Sequence, residues 1–140
     1  MRQAFLIILL SLLLSFSGTA NANKLLIPMD MSQSNHLKAY GVAYWVLAQG
    51  VPVDWLLNYR GGSFAIDYYQ KFEEELVTRG VSYEKVTLGS FNGILEQIKS
   101  ESSNQDAVKL EKEPRIAVYS PKSAKPWDDA VTMVLTYAEI

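Results

Sequence analysis

The sequence predicts an α/β protein with a mainly parallel sheet, in which strands and helices alternate. Short apolar runs alternate with longer segments whose apolar residues recur every three or four positions, the spacing of helices. In addition, a strand, a helix and a second strand follow one another between Lys24 and Leu57. Because a crossover through a helix joins strands that run in the same direction, we expect neighbouring strands to be parallel.

The first 22 residues have the pattern of a secretory signal peptide. Arg2 precedes an apolar run from Ala4 to Phe16, and the small residues that follow end in Ala20-Asn21-Ala22. The run is shorter than the roughly 20 residues that a membrane-spanning helix requires, although an uncleaved anchor is the alternative. We therefore expect cleavage after Ala22, no membrane span in the mature chain, and a periplasmic or secreted location.

The composition excludes several classes of function. The chain contains no cysteine, which excludes disulfides, thiolate metal sites and a cysteine nucleophile. Cleavage after Ala22 leaves 118 residues with 12 basic and 15 acidic side chains. That length suffices for a domain, and the charge lacks the basic excess of a nucleic-acid-binding protein. The single histidine disfavours a metal cluster, and no cofactor is expected.

The apolar pattern predicts the first elements in order. Lys24–Met29 is a buried strand, and the helix after it carries apolar residues on more than one side before Gly50 ends it. Val53–Leu57 is the second strand. The next helix is predicted to begin at Asp67, with Gln70 completing a capping box.

The following elements complete a predicted first domain, residues 23–99. Ser82–Leu88 alternates charged and apolar residues, as an edge strand does, and the apolar residues between Phe91 and Ile98 fit a third helix. Residues 100–114 are polar and predict a linker.

Residues 115–140 are predicted to be the first strand and helix of a second α/β unit. Arg115–Tyr119 is a buried-type strand, and a helix is expected from about Trp127. A lone strand and helix leave an apolar face uncovered, so we expect this unit to continue beyond Ile140.

The candidate ligand-binding residues lie in the loops that follow the first two strands. In a parallel sheet these loops share the carboxyl edge, where open α/β sheets bind ligands. An arginine beside the backbone amides of two glycines suits a carboxylate or a phosphate. The candidates are Asp30, Asn35, His36, Asn58, Arg60, Gly61, Gly62 and Ser63.

Two other interpretations of the second loop stay open. Gly61 and Gly62 could serve only to turn the chain, with Arg60 paired to Asp30 or Asp67. The Gly-Gly-Ser sequence also resembles a serine nucleophile elbow, but Ala65 occupies the final glycine position and no helix follows directly, which disfavours serine catalysis. We assign no catalytic residue.

Three stretches resemble a family of exported Bacteroidota proteins that are labelled asparagine synthetase B. They are I-P-M-D-M-S-Q-S-N-H-L-K-A-Y-G-V-A-Y-W-V-L (27–47), W-L-L-N-Y-R-G-G-S-F (55–64) and R-I-A-V-Y-S-P with P-W-D-D-A-V-T-M-V-L (115–121 and 126–135). The resemblance covers nearly all of the mature chain. It implies a longer protein, in which the part after Pro114 opens a glutamine-amidotransferase-like α/β domain.

The activity in the family label does not fit the residues of this chain. A glutamine-hydrolysing asparagine synthetase needs an amino-terminal cysteine and an S-G-G-x-D-S loop that holds pyrophosphate. The chain contains no cysteine, and its Gly61-Gly62 pair is followed by Ser-Phe-Ala. Asparagine synthesis is therefore not supported.

Three hypotheses of function follow. The first is an exported α/β module that binds a small anionic or amide-bearing ligand, or the end of a peptide or glycan, at the strand-edge loops. The second is the amino-terminal part of an amidase or amidotransferase-like enzyme whose catalytic residues lie beyond Ile140. The third is a structural or partner-binding protein of the cell envelope.

Overall fold

The computed structural model describes residues 23–100, 104–119, 121–123, 125 and 129–140, so the predicted signal peptide lies outside the described residues. The strands are β1 (Lys24–Ile27), β2 (Val53–Leu57), β3 (Ser63–Asp67), β4 (Glu84–Val86) and β5 (Asp106–Leu110). The helices are α1 (His36–Ala48), α2 (Gln70–Thr78), α3 (Leu88–Ile98) and α4 (Ala130–Ala138). Over these ranges no helix combines the length and the apolarity that crossing a membrane requires.

The five strands form one sheet in the order β4-β1-β3-β2-β5, and every neighbouring pair is antiparallel. The prediction of a mainly parallel sheet is therefore wrong. β1 and β2 do run in the same direction, as a crossover through α1 requires, but β3 lies between them and pairs with both. The loops that follow β1 and β2 consequently meet at one end of the sheet.

The error arises from β3, a strand that the apolar pattern did not predict between Val53–Leu57 and the helix expected from Asp67. Its apolar run S-F-A-I follows V-D-W-L-L after a short connection with two glycines, which is the pattern of a β-hairpin. Helix α2 begins only at Gln70. Asp67 therefore does not cap that helix, and its carboxylate instead lies 3.0 Å from the ammonium of Lys24.

Helices cover both faces of the sheet. Successive side chains of each strand point to opposite sides, so each strand contributes residues to two cores. Leu25, Ile27 and Phe64 face the buried side chains of α1 and α2. Leu26 and Ala65 face α3, which contributes its own buried apolar side chains to that second core. Helix α4 packs on α1.

The carboxyl-terminal part departs from the predicted elements. β5 lies within the segment predicted as a linker and pairs with β2 at an edge of the sheet. The strand predicted at Arg115–Tyr119 is not formed, and these residues are exposed. Helix α4 is present, with Asp129 accepting a hydrogen bond from the Thr132 backbone N–H at 3.1 Å, whereas its predicted start near Trp127 lies outside the described residues. The division into a first domain and a second unit stays a prediction.

Candidate functional site

The loop between β2 and β3 has an unusual backbone. Asn58, Arg60, Gly61 and Gly62 have φ values of 60°, 45°, 82° and 93°. A left-handed conformation costs a non-glycine residue about 1–2 kcal/mol, so it persists only where the surrounding structure holds it. Here the Met29 N–H donates to the Arg60 carbonyl at 3.1 Å, which ties the loop to the chain just after β1.

The side chain of Arg60 connects three segments of the chain. Its Nε donates to Asp30 Oδ2 at 2.8 Å, its Nη1 donates to Glu84 Oε1 at 2.7 Å, and its Nη2 donates to Ser32 Oγ at 3.2 Å. Asp30 also accepts hydrogen bonds from the backbone N–H and the hydroxyl of Ser32. We refer to Asp30, Ser32, Arg60 and Glu84 as the Arg60 cluster.

The electrostatics of the Arg60 cluster keep Asp30 and Arg60 charged. The hydrogen bond from Arg60, followed by those from Ser32, holds the pKa of Asp30 well below its usual range. Asp30 and Glu84 together raise the pKa of Arg60 further above its already high usual value. The exposed fractions of the three side chains are 28% for Arg60, 34% for Asp30 and 49% for Glu84. The cluster therefore carries a formal charge of −1 and is open to water.

Two residues predicted for the site, His36 and Asn35, instead form hydrogen bonds to the backbone and between helices. His36 Nε2 lies 3.2 Å from the carbonyl oxygens of Met29 and Asp30, so this nitrogen donates to backbone. Asn35 caps α1, because its side-chain oxygen accepts from the Lys38 N–H at 3.1 Å. Its Nδ2 donates to the hydroxyl of Tyr137 at 2.7 Å. Neither residue joins the Arg60 cluster.

The remaining predicted residues hold the loop in shape. Asn58 Nδ2 donates to the carbonyl of Asn104 at 2.9 Å, which links the loop to the chain before β5. The Gly62 N–H donates to the Tyr59 carbonyl at 3.0 Å, so it is already used within the loop. The hydroxyl of Ser63 is buried and lies 3.0 Å from the same carbonyl. Within the described part of the chain the Ser63 hydroxyl bonds only to backbone oxygens, and no side chain there acts as the base that a serine nucleophile requires.

Sequence reasoning missed Ser32 and Glu84. Ser32 follows Asp30 by two residues, and this spacing is the local signal of a side chain that bonds the backbone two positions on. Glu84 carried no such signal. It reaches Arg60 because β4 pairs with β1, an arrangement that depends on the whole sheet.

No protein-family model, curated protein or solved structure matches this chain. The resemblance to the exported Bacteroidota family stays a prediction. The Arg60 cluster is therefore interpreted through its own chemistry.

Two surface cavities also lie within the described residues. One of about 490 Å³ runs along α2 and includes Tyr68, Glu73 and Glu74. Another of about 440 Å³ lies between the end of α3 and the start of β5. Neither is lined by a member of the Arg60 cluster. A ligand of the cluster would therefore bind outside these two cavities.

Proposed function

We propose that this protein is an exported α/β module that binds a small anionic or amide-bearing ligand at the Arg60 cluster. The supporting observation is the strained, left-handed backbone of Arg60, whose guanidinium is fixed by Asp30 and yet partly open to water. Backbone strain of this kind is concentrated at functional sites, where the surrounding structure is built to hold it.

The hydrogen-bond inventory of Arg60 fits such a ligand. A guanidinium has five N–H donors in a planar fork, and three of them are used by Asp30, Ser32 and Glu84. The two others, on Nη1 and Nη2, have no acceptor among the described residues. A planar fork with free donors suits a carboxylate or an amide oxygen.

Thermal denaturation with simple probes tests this proposal. We would add sodium acetate or acetamide at 100 mM, with sodium chloride as the matched salt. If the dissociation constant is about 10 mM, the probe stabilises the folded chain by about 1.4 kcal/mol and raises Tm by a few degrees. The Arg60→Lys variant keeps the positive charge but loses the fork, so it should show no rise.

Arg79→Lys provides the matched control. Arg79 also forms ion pairs, at 2.6 Å with Glu75 and 3.3 Å with Glu139, but its side chain is only 7% exposed. This variant should keep the response to the probes even if its Tm is lower. If neither probe raises Tm of the wild-type protein above the chloride control, the proposed function is wrong.

A specific observation supports partner binding as a second candidate function. Four apolar side chains of α4 are exposed by 43% to 57%: Val131, Met133, Val134 and Tyr137. A contiguous apolar face is typical of an interaction surface. Under this candidate, Val134→Asp would keep Tm unchanged but abolish cross-linking of the protein in the cell envelope, whereas equal cross-linking of wild type and variant would exclude this face.

A further inference from the structure

This inference rests on the proposed function and narrows its ligand class. We infer that the Arg60 cluster takes a zwitterionic amino acid, whose carboxylate displaces Glu84 from Arg60 and whose ammonium group then pairs with the released Glu84 carboxylate.

The two carboxylates bound to Arg60 are not equally fixed. Asp30 accepts hydrogen bonds from the backbone and side chain of Ser32, in addition to that from Arg60. The Glu84 carboxylate accepts a hydrogen bond from Arg60 alone among the described residues, and this side chain is 49% exposed. Exposed ion pairs contribute little to stability, so Glu84 is the partner that a ligand can displace.

The position of Glu84 indicates which group the site accepts. Its Oε1 lies 2.7 Å from Arg60 Nη1, so the arginine already binds a carboxylate on the side open to water. A ligand carboxylate at the same place would make the same contact. It would also have access to the free N–H donors of Nη1 and Nη2, which allows a bidentate arrangement.

The charge of the cluster decides between a simple anion and a zwitterion. The two carboxylates of Asp30 and Glu84 outnumber the one guanidinium of Arg60, so binding of a monoanion would make the local formal charge more negative, from −1 to −2. A zwitterion leaves this charge at −1, and its ammonium group offsets the carboxylate of Glu84 after that side chain moves away. One added ion pair near water corresponds to roughly a fivefold gain in affinity.

The test uses nuclear magnetic resonance titration of the whole protein at pH 7, because weak binding is measurable by this method. The probes are glycine, acetate and methylammonium, which present both charges, the carboxylate alone and the ammonium alone. We expect glycine to bind about fivefold more tightly than acetate, and methylammonium to bind more weakly than either.

Substitution of Glu84 then separates its two roles. In Glu84→Gln the internal competitor and the ammonium partner are both lost, so acetate should bind more tightly than to wild type and the glycine preference should fall towards one. Glu84→Asp, which retains the charge on a shorter side chain, should keep a preference for glycine. Glu96→Gln is the matched control, because Glu96 is an exposed carboxylate that pairs with Lys99 at 3.3 Å, and it should change neither affinity.

The outcomes distinguish this inference from the function on which it rests. Equal affinities of glycine and acetate for the wild-type protein, or a glycine preference that survives in Glu84→Gln, overturn the zwitterion but leave a carboxylate site at Arg60. Methylammonium binding as tight as that of glycine overturns the inference as well, since the site would then recognise only a cation. Absence of binding by both acetate and glycine overturns the inference and the carboxylate site together.

Discussion

Gly61→Ala should destabilise the protein by about 1–3 kcal/mol more than Gly80→Ala. Both glycines have positive φ, 82° for Gly61 and 68° for Gly80. A Cβ at Gly61 would lie 2.3 Å from the Met29 carbonyl oxygen and 2.6 Å from its carbon, whereas a Cβ at Gly80 would meet nothing within 4 Å. Gly80→Ala therefore reports the backbone conformation alone, and Gly61→Ala adds a steric clash.

The expected magnitude follows from these two contributions. The left-handed conformation costs an alanine about 1–2 kcal/mol at either position. At Gly61 the clashing atoms belong to the backbone that follows β1, which cannot rotate away as a side chain can. Relieving the clash requires the loop to move from Met29, and overpacking of this kind costs about 1–3 kcal/mol. The total loss for Gly61→Ala is then about 2–5 kcal/mol.

Urea denaturation measures both losses, with the free energy of unfolding obtained by linear extrapolation and the slope m expected to stay constant. Hydrogen exchange provides a local measurement, because the Met29 N–H donates to the Arg60 carbonyl at 3.1 Å. Its exchange should be faster in Gly61→Ala than in Gly80→Ala. Equal losses of stability and equal exchange would mean that the loop is not held against Met29 and that the Arg60 backbone is not fixed.

Three further predictions concern other contacts. Folding lowers the pKa of Asp30, so the stabilisation that its carboxylate provides is complete above its usual pKa of 3.8 and is lost as pH falls below that value. Asp30→Asn should therefore flatten this part of an acid denaturation profile. Gly41→Ala places a Cβ 1.7 Å from the Ala138 carbonyl oxygen, so it should displace α4 and speed its hydrogen exchange while the sheet stays protected. Lys24→Met removes the ammonium that lies 2.7 Å from Asp54, whose side chain is 18% exposed. The free energy of unfolding in urea should fall by about 1–3 kcal/mol. An unchanged midpoint would show that the pair contributes nothing to stability.

The sequence predicted those features that depend on local patterns. β1, α1 and β2 follow from apolar spacing. The proximity of Asp30 and Arg60 could also be predicted, because each residue follows a strand and the two strands run in the same direction. The sheet order could not be predicted, because β3, the hairpin partner of β2, follows two glycines that indicated a loop.

The segment Arg115–Tyr119 shows why composition alone cannot place a strand. Its residues have high strand propensity, yet a strand also needs an edge with which to pair. In the described structure β5 occupies the edge beside β2, although its segment is more polar. The exposed fractions of Ile116 and Tyr119, 48% and 90%, show that this apolar segment contributes little to the core.

The ion pairs of Arg60 agree in geometry with a purely structural role and with a binding role, and the two roles differ in energy. If the cluster serves only to fasten the loop, both carboxylates matter to stability, and removal of either should destabilise the protein. If the cluster binds a ligand, Asp30 positions Arg60, and Glu84 occupies the part of the guanidinium that a ligand would take. Because the Glu84 side chain is half exposed, its pair contributes at most about 1 kcal/mol to folding. Its loss should therefore change affinity for a carboxylate more than it changes the free energy of unfolding, and this contrast separates a binding arginine from a structural one.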